Sequence, residues 1–382
     1  MKEFSLNGHA ITIVSPRERK YRERTHLLEF GKYRILKVRI GNIQKTNVLE
    51  RGLTTILIQN RILSSIKKYL SDEKFDLVLY STPPVTFAKV IKYIKKKDNA
   101  LSYLMLKDIF PQNAVDLGLF SKGSILYKYF RRKEKKLYAA SDYIGCMSEA
   151  NVHYLAKNNP QIPSEKIEVC PNSIIPVEYQ EVNKTMLRRR HNLPIEPLLL
   201  IYGGNFGKPQ AIEFILDVLR ENSDKKDRHF IMCGAGTEYN KLKRFIDAEK
   251  PHNVSLLNGL PKKEYDELLS ACEIGLIFLD KRFTIPNFPS RLLSYMEYSL
   301  PILAATDKNT DLGSSILEGD FGWWCESRKA EDFTRIIDNI CNKREIISEK
   351  GYNGRKYLEN SFTTKHSYKK IMFHFNKETK YV

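Results

Sequence analysis

Residues 198–210 read Leu-Leu-Leu-Ile-Tyr-Gly-Gly-Asn-Phe-Gly-Lys-Pro-Gln, and the amphipathic run 211–219 follows directly. The apolar residues predict a buried strand that ends at glycines, and the run after Lys208 predicts a helix. Because backbone N–H groups and the positive end of a helix converge after such a turn, the stretch is a candidate phosphate-binding loop. A tight turn without a ligand explains it equally well, since such loops are common in α/β folds.

Strand-like and helix-like segments alternate along the whole chain. The strand-like segments are residues 10–14, 33–39, 77–80, 101–106, 143–146 and 167–170, then 198–202, 228–233, 254–257, 274–278, 302–304 and 322–324. The helix-like segments are residues 53–70 and 87–97, then 211–219, 237–248, 262–272, 290–298 and 330–341, and a helical tail over 345–375 that Gly351 and Gly354 interrupt. The alternation predicts an α/β fold of two doubly wound domains.

The predicted domain limits follow from a polar, strand-free segment over residues 176–185. We expect a first domain over residues 1–178, a second over 179–360, and a helical tail over 361–382 that packs back on the first. Residues 1–9 read as a helix end directly before a strand, whereas a Rossmann-like domain usually opens with a strand, a glycine-rich turn and a helix. Either the start codon is misplaced, or the first domain lacks its central strand and its sheet has an unfilled gap.

Composition limits the cellular location and the cofactors that the protein can have. The 382 residues are 42% hydrophobic and 28% charged, which suits two globular domains. The sequence has neither a run of about 20 uncharged apolar residues nor a signal-peptide hydrophobic region, which predicts a cytoplasmic protein. Its six cysteines lack metal-ligand spacing, so we expect free thiols and neither a metal nor a disulfide.

A net charge of +18 calls for a partner or an explanation. The basic residues concentrate at Lys67-Lys68, at Lys95-Lys96-Lys97, and at residues 131–136 beside Tyr127, Tyr129 and Phe130. Nucleic acid is disfavoured because no zinc-finger, RNP or KH signature is present. An anionic membrane surface suits cations that flank exposed aromatics. A solvated basic face that keeps the protein soluble fits equally well.

A second candidate anion site lies in residues 283–304. Pro289 and Ser290 predict the start of a helix whose first turn carries Arg291. A helix N-terminus that carries a cation favours diphosphate binding. A surface helix with a solvated arginine is the competing interpretation. Two such sites, each after a strand of one domain, favour a ligand more than either does alone.

A carboxylate follows one strand of the first domain. Asp108 comes before a proline-bearing turn, where an acid would point into a cleft between the domains and act as a base or position a hydroxyl. An ordinary turn aspartate is as good an explanation. The hydroxyls of residues 80–82 end a neighbouring strand, and a rigid proline turn is the favoured interpretation there.

Motifs in a fixed order along the chain carry a family resemblance. They are Gly8-His9, residues 75–84, residues 108–111, Ser141-Asp142 with Ser148, residues 169–173, residues 204–210, residues 233–236, and Pro289-Ser-Arg291 with Pro301. In this order the chain resembles bacterial family-4 glycosyltransferases of the GT-B fold. It is most similar to the subgroup of capsule and O-antigen assembly, which includes N-acetyl-fucosamine transferases.

The resemblance implies two Rossmann-like domains that face each other across a cleft. It implies transfer, with retention of configuration and without a metal or other cofactor, of a sugar from a UDP-type nucleotide sugar held by the second domain. The acceptor, a lipid-linked saccharide or an oligosaccharide, would be held by the first domain, peripheral to the inner face of the plasma membrane. Asp108, Lys208 and Arg291 would be catalytic. The donor would contact Gly203, Gly204, Asn205, Gly207, Lys208, Gln210, Gly234, Gly236, Asn258, Asn287, Ser290 and Arg291.

The chain departs from the family pattern at several positions. Where the wider family has two glutamates eight positions apart, this chain has Pro286 and Ser294, and Glu297 is displaced by three. Asn205 and Gln210 replace an arginine and a lysine, so Lys208 and Arg291 would supply the positive charge. A truncated, inactive partner in a polysaccharide-assembly complex is an alternative. A sugar-nucleotide epimerase ranks last, because it needs paired carboxylates and only Asp108 qualifies.

Overall fold

The computed structural model describes residues 1–43, 46–178 and 182–379. It divides the chain into two units: Met1–Pro171 together with the segment that begins at Thr364, and Asn172–Thr363. Both units alternate strands and helices. Of the predicted linker, residues 179–181 lie outside the described residues.

Within the described residues, the first unit contains seven strands in two separate sheets. Its elements are α1 (Lys2–Leu6), β1 (Ile11–Glu18), β2 (His26–Phe30), β3 (Tyr33–Ile40), α2 (Val48–Tyr69), β4 (Leu77–Ser81), α3 (Ala88–Asp98), β5 (Leu101–Leu106), α4 (Gln112–Asp116), α5 (Ile125–Tyr138), β6 (Tyr143–Cys146), α6 (Glu149–Asn158) and β7 (Ile167–Val169). One sheet has the order β1-β3-β2, and the other has the parallel order β4-β5-β6-β7.

The strand β2 was not predicted from the sequence. It forms a hairpin with β3, to which it pairs antiparallel, and Gly31 supplies a positive φ of 59° in the turn. β1 and β4 are each the edge strand of a sheet. A cavity of about 240 Å³ is lined by residues of both edges, among them Ile11 and Leu77. The described strands of this unit therefore form two sheets where an uninterrupted doubly wound domain has one.

The second unit is built on one six-stranded parallel sheet of the order β10-β9-β8-β11-β12-β13. Its elements are α7 (Lys184–Arg190), β8 (Leu198–Asn205), α8 (Ile212–Glu221), β9 (Arg228–Ala235), α9 (Tyr239–Glu249), β10 (Val254–Leu257), α10 (Lys262–Ala271), β11 (Ile274–Phe278), α11 (Arg291–Glu297), β12 (Ile302–Thr306), α12 (Leu312–Glu318), β13 (Gly322–Glu326), α13 (Ala330–Asn342) and α14 (Ile346–Ser361). Every pair of adjacent strands is parallel.

The core of this unit lies on both faces of the sheet. Along β8, Leu198, Leu200 and Tyr202 pack with α8 and α13 on one face, and Leu199 and Ile201 pack with α10 and α11 on the other. This period of two with both faces apolar explains why the strand reads as a continuous hydrophobic run. The carboxyl end of β8 is thereby fixed at the centre of the sheet.

The glycines of the tail do not interrupt a helix. α14 runs through Gly351 and Gly354, and a Cβ at Gly351 would overlap the carbonyl oxygen of Ser299. Gly351 therefore permits close packing against the turn after α11. The final helix, α15 (Thr364–Thr379), belongs to the first unit, where the Tyr368 hydroxyl lies 2.9 Å from His9 Nε2.

Candidate functional site

Glycines line the carboxyl ends of β8 and β9. Gly204 lies opposite Gly234 in the register, with φ values of 137° and 153°. A Cβ at Gly234 would overlap the carbonyl oxygen of Gly204, and a Cβ at Gly236 would overlap the backbone of Phe206. Two of the predicted ligand glycines, Gly234 and Gly236, thus have a structural role, because the two strand ends approach each other too closely there for any side chain.

Two predicted ligand side chains hold the loop itself. Gln210 Oε1 accepts hydrogen bonds from the Gly207 N–H at 3.1 Å and from Asn205 Nδ2 at 3.2 Å. These bonds close the loop over residues 205–210. Lys208, by contrast, is exposed, and within the described ranges no ion pair involves it. Its ammonium group is an exposed positive charge of this loop.

The helix does not begin where the sequence predicts. Residues Lys208–Gln210 form a 3₁₀ turn, Ala211 follows in the left-handed region with φ 50° and ψ 55°, and α8 begins at Ile212. The backbone N–H of Asp280 donates to the Pro209 carbonyl at 2.9 Å, which anchors the turn to the segment after β11. This turn therefore lies between the glycines of β8 and the N-terminus of α8.

The structure brings Arg291 to this loop. Its Nη2 lies 3.2 Å from the point where a Cβ of Gly204 would stand, and its Cζ lies 4.3 Å from the centroid of the Tyr202 ring. Its Nη1 is shielded from solvent and has no hydrogen-bond partner in the part of the chain that the structure describes. Arg291 is therefore not the solvated surface arginine of the competing interpretation.

Three tyrosines that sequence reasoning missed support Arg291 and the loop. The Tyr295 hydroxyl accepts from the Gly203 N–H and donates to the Leu276 carbonyl, both at 3.1 Å. The Tyr202 hydroxyl donates to the Asn205 carbonyl at 2.7 Å. Tyr265 packs its hydroxyl where a Cβ of Gly203 would lie.

These tyrosines are neutral under ordinary conditions. Burial raises the pKa of Tyr295 to about 12, and burial also raises the pKa of Tyr202 and of Tyr265. The cluster therefore adds no negative charge to oppose an anion beside Arg291. A spacing of four residues puts Arg291 and Tyr295 on one face of α11, and this was the available sequence signal.

A second unpartnered donor lies close by in the chain. Asn287 Nδ2 is shielded from solvent without a hydrogen-bond partner in the described structure, while the Asn287 carbonyl accepts from Thr310 Oγ1 at 2.6 Å. Each buried donor that lacks an acceptor costs about 1–3 kcal/mol. A ligand with several acceptor oxygens would satisfy such donors, and phosphate is such a ligand.

The remaining predicted donor contacts are exposed. Ser290 precedes α11 without a side-chain capping bond. Asn258 follows β10, and its carbonyl accepts a weak bond from Cys233 Sγ at 3.4 Å. Glu297, the displaced glutamate, is buried, and its Oε1 accepts from the Val177 N–H at 3.0 Å. Glu297 therefore joins the segment at Val177 to α11 within the second unit.

Asp108 occupies an internally hydrogen-bonded turn of the first unit. Its Oδ1 accepts from Asn113 Nδ2 at 2.7 Å, and its backbone N–H and carbonyl both bond to Thr82 Oγ1, at 3.2 and 3.0 Å. Burial raises the pKa of Asp108 to about 6, against the opposing hydrogen bonds of Asn113 and of the Ile109 N–H. A carboxyl group with this pKa takes up or releases a proton near neutral pH.

The hydroxyls of the neighbouring strand end are used within the unit. The hydroxyls of Tyr80 and Ser141 lie 2.7 Å apart, and Thr82 bonds to the Asp108 backbone. This favours the interpretation of residues 80–84 as a rigid turn.

Comparison with known proteins shows what the second unit resembles. Residues 183–357 match the family model described as glycosyl transferases group 1. The second unit is therefore similar to group 1 glycosyltransferases over nearly its whole length. The whole chain has the fold of GT-B glycosyltransferases, which confirms the predicted α/β class with two Rossmann-like domains. Among the described residues, no helix combines the length and apolar character needed to cross a bilayer.

Similar proteins extend over both units. The probable glycosyltransferase WbjE of Pseudomonas aeruginosa is 25% identical over 301 residues, which are 78% of this chain and 73% of WbjE. The crystal structure of WaaG, a glycosyltransferase involved in lipopolysaccharide biosynthesis, superposes with a TM-score of 0.67 at 14% identity, over 96% of this chain and 92% of WaaG. Anabaena HepE in complex with UDP-glucose gives 0.67 at 13% identity, over 90% and 86%.

Proposed function

We propose that this chain transfers a sugar from a UDP-linked donor to a lipid-linked or oligosaccharide acceptor, with retention of anomeric configuration and without a resident metal. The reaction serves the assembly of capsule or O-antigen polysaccharide. This assignment follows the subgroup that the motifs resemble, the N-acetyl-fucosamine transferases included. The similarity to WaaG and to a HepE complex with UDP-glucose supports it.

The observation that carries the proposal is the state of Arg291. A guanidinium group beside Gly204, with one Nη shielded and without an acceptor, is an electrostatic site for an anion. Guanidinium groups bind phosphate oxygens in a bidentate manner, and the absence of a side chain at Gly204 leaves room for them. The diphosphate of the donor is assigned to this place.

The same groups act on the reaction step. When the bond between the sugar anomeric carbon and the diphosphate breaks, negative charge develops on the leaving oxygen. Arg291 and Lys208 are positive groups that stabilise this charge as it forms. The tyrosines hold Arg291 and β8 in place before the reaction, so little reorganisation is required.

We assign to Asp108 the role of binding the acceptor hydroxyl. A carboxyl group with a pKa near 6 is mostly ionised at pH 7, where it accepts a hydrogen bond from the reacting hydroxyl and orients it. We place the working protein in the cytoplasm, peripheral to the inner face of the plasma membrane. A lipid-linked acceptor, as proposed, would be held at that membrane.

The test is a thermal-shift screen of the full chain against UDP-, GDP- and dTDP-linked sugars, followed by a transfer assay with the stabilising donor. A ligand of the folded state raises its melting temperature. We expect stabilisation by UDP-sugars and release of UDP in the presence of acceptor. Stabilisation by none of these nucleotides would contradict the proposal, and binding without release of UDP would favour an inactive partner protein.

A further inference from the structure

The three basic clusters of the sequence have different environments in the structure. Lys95 pairs with Asp142 at 2.6 Å, and Lys97 pairs with Asp98 at 3.2 Å. Lys67 lies over the ring of Tyr93. Most of the cations in the first two clusters are thus engaged within the first unit. The cluster on α5 is different.

One face of α5 carries unpaired cations. At 3.6 residues per turn, Ile125, Lys128, Arg132 and Lys136 fall within an arc of about 80°. All four are exposed, and among the described residues none of these three cations forms an ion pair. The opposite side of the helix is buried, with Phe130, Glu134, Leu137 and Tyr138 in the core. We call the four exposed residues and Leu126 the α5 face.

Exposed aliphatic side chains occupy the N-terminal end of this face. Ile125 is 87% exposed and Leu126 is 47% exposed, and Leu119 in the preceding loop is exposed as well. The aromatic residues that the sequence suggested for a membrane contact are different ones. Phe130 is buried, and Tyr127 and Tyr129 are half-buried. The hydrophobic part of the α5 face is therefore aliphatic.

We propose that the α5 face docks on the surface of an anionic lipid bilayer. Aliphatic side chains at one end enter the acyl boundary, and the row of Lys128, Arg132 and Lys136 meets the phosphates of the headgroups. Nucleic acid explains the cations but gives Ile125 and Leu126 no partner, since base stacking needs aromatic rings. The inference rests on the proposed use of a lipid-linked acceptor and names the surface that holds the enzyme near it.

The test is co-sedimentation of the full chain with vesicles of phosphatidylcholine, with and without phosphatidylglycerol, at low and high salt. We expect binding only to vesicles that contain phosphatidylglycerol, and weaker binding at high salt. The triple substitution Lys128→Gln, Arg132→Gln and Lys136→Gln should reduce partitioning roughly 100-fold, at about fivefold for each cation near the surface. Ile125→Ser with Leu126→Ser should reduce it as well.

The matched control removes the same charge elsewhere. Lys226→Gln, Lys329→Gln and Lys343→Gln neutralise three exposed cations of the second unit, and this variant should bind vesicles as the parent chain does. Equal binding by the α5 triple variant and the control would overturn the proposal, as would equal binding of the parent chain to neutral vesicles. Preferential binding of single-stranded RNA through the same three cations would assign the face to nucleic acid.

The measurement is separate from the proposed function. UDP-sugar stabilisation of the α5 variants reports whether the donor site is intact, because no residue of the α5 face belongs to it. Loss of vesicle binding with unchanged donor stabilisation supports the docking surface. Failure of donor binding in the parent chain would contradict the proposed function. The measurement of vesicle binding would still test the docking surface. The salt dependence of the parent chain tests the surface without any substitution.

Discussion

The two strand-end sites of this protein, at Arg291 and at Asp108, differ in how fully their polar groups are satisfied. Arg291 has a shielded Nη1 without an acceptor. Asp108 has Asn113 on its Oδ1 and Thr82 on its backbone. A buried polar group without a partner is costly unless a ligand completes it. The difference teaches that the Arg291 site holds a buried donor still open to an anionic ligand, whereas the Asp108 carboxylate already has a partner within its own turn.

The largest effect expected from a single substitution is a loss of stability at the glycines that end β8 and β9. Gly234→Ala places a Cβ against the Gly204 carbonyl at a φ of 153°, which should destabilise the second unit by about 2–4 kcal/mol. Thermal unfolding should show a loss of several degrees. Gly259→Ala is the matched control, because a Cβ there meets no atom within 4 Å. Equal melting temperatures for the two variants would show that the strand ends are less tightly packed than described.

Arg291→Ala removes the group that distinguishes the two sites. If Arg291 contacts diphosphate, transfer from a UDP-sugar should lose about 1.5–3 kcal/mol, the worth of charge-assisted hydrogen bonds. The measurement is kcat/KM for the donor. Arg335→Ala removes an exposed arginine that pairs with Asp332 on α13, and it should leave kcat/KM unchanged. A similar loss in both variants would indicate a general charge effect.

The substitution Asp108→Asn tests the second site through the pH dependence of protein stability. The folded state raises the pKa of Asp108 to about 6, above the value of about 3.9 in an unfolded chain. Its contribution to stability is therefore present below about pH 4 and is lost as the pH rises through 6. Asparagine does not ionise, so the variant should gain about 2–3 kcal/mol on the parent chain between pH 4 and pH 7.5.

The measurement for Asp108 is urea unfolding of both chains across this pH range. Parallel stability curves would mean that burial does not perturb this carboxyl group. The transfer rate of the variant should also fall, because the acceptor hydroxyl loses an ionised partner. An unchanged rate would remove Asp108 from the reaction.

Gln210→Ala carries the smallest expected effect. It releases the Gly207 N–H and the Asn205 amide, each worth about 1 kcal/mol. Because these bonds hold the loop and not the ligand, donor affinity should fall by less than in Arg291→Ala. Titration with UDP checks the order of the two effects. A larger loss of UDP affinity in Gln210→Ala than in Arg291→Ala would indicate that Gln210 contacts the ligand.

Much of the fold could be predicted from the sequence, because buried parallel strands such as 198–205 read as continuous apolar runs. The hairpin strand β2 escaped prediction because half-exposed residues with a lone glycine turn carry a weak signal. The glycines of α14 were misread as breaks, since close packing against Ser299 depends on tertiary contacts.

The candidate site could be predicted in part. The approach of Arg291 to Gly204 was expected from two separate motifs, and the structure brings these residues together. The sequence could not show that Gln210 bonds to Asn205. An amide side chain at either position could bind a ligand or the loop itself, and the sequence looks the same in both cases. The tyrosine cluster was missed because its members come from three different elements.

The most direct test of the account is calorimetric titration of UDP into the parent chain, Arg291→Ala and Asp108→Asn. The account predicts that Arg291→Ala weakens UDP binding by about one to two orders of magnitude, from the worth of charge-assisted hydrogen bonds. Asp108→Asn should bind UDP as the parent chain does. UDP affinity that is unchanged in Arg291→Ala would contradict the central claim that this arginine, beside Gly204, holds the diphosphate of the donor.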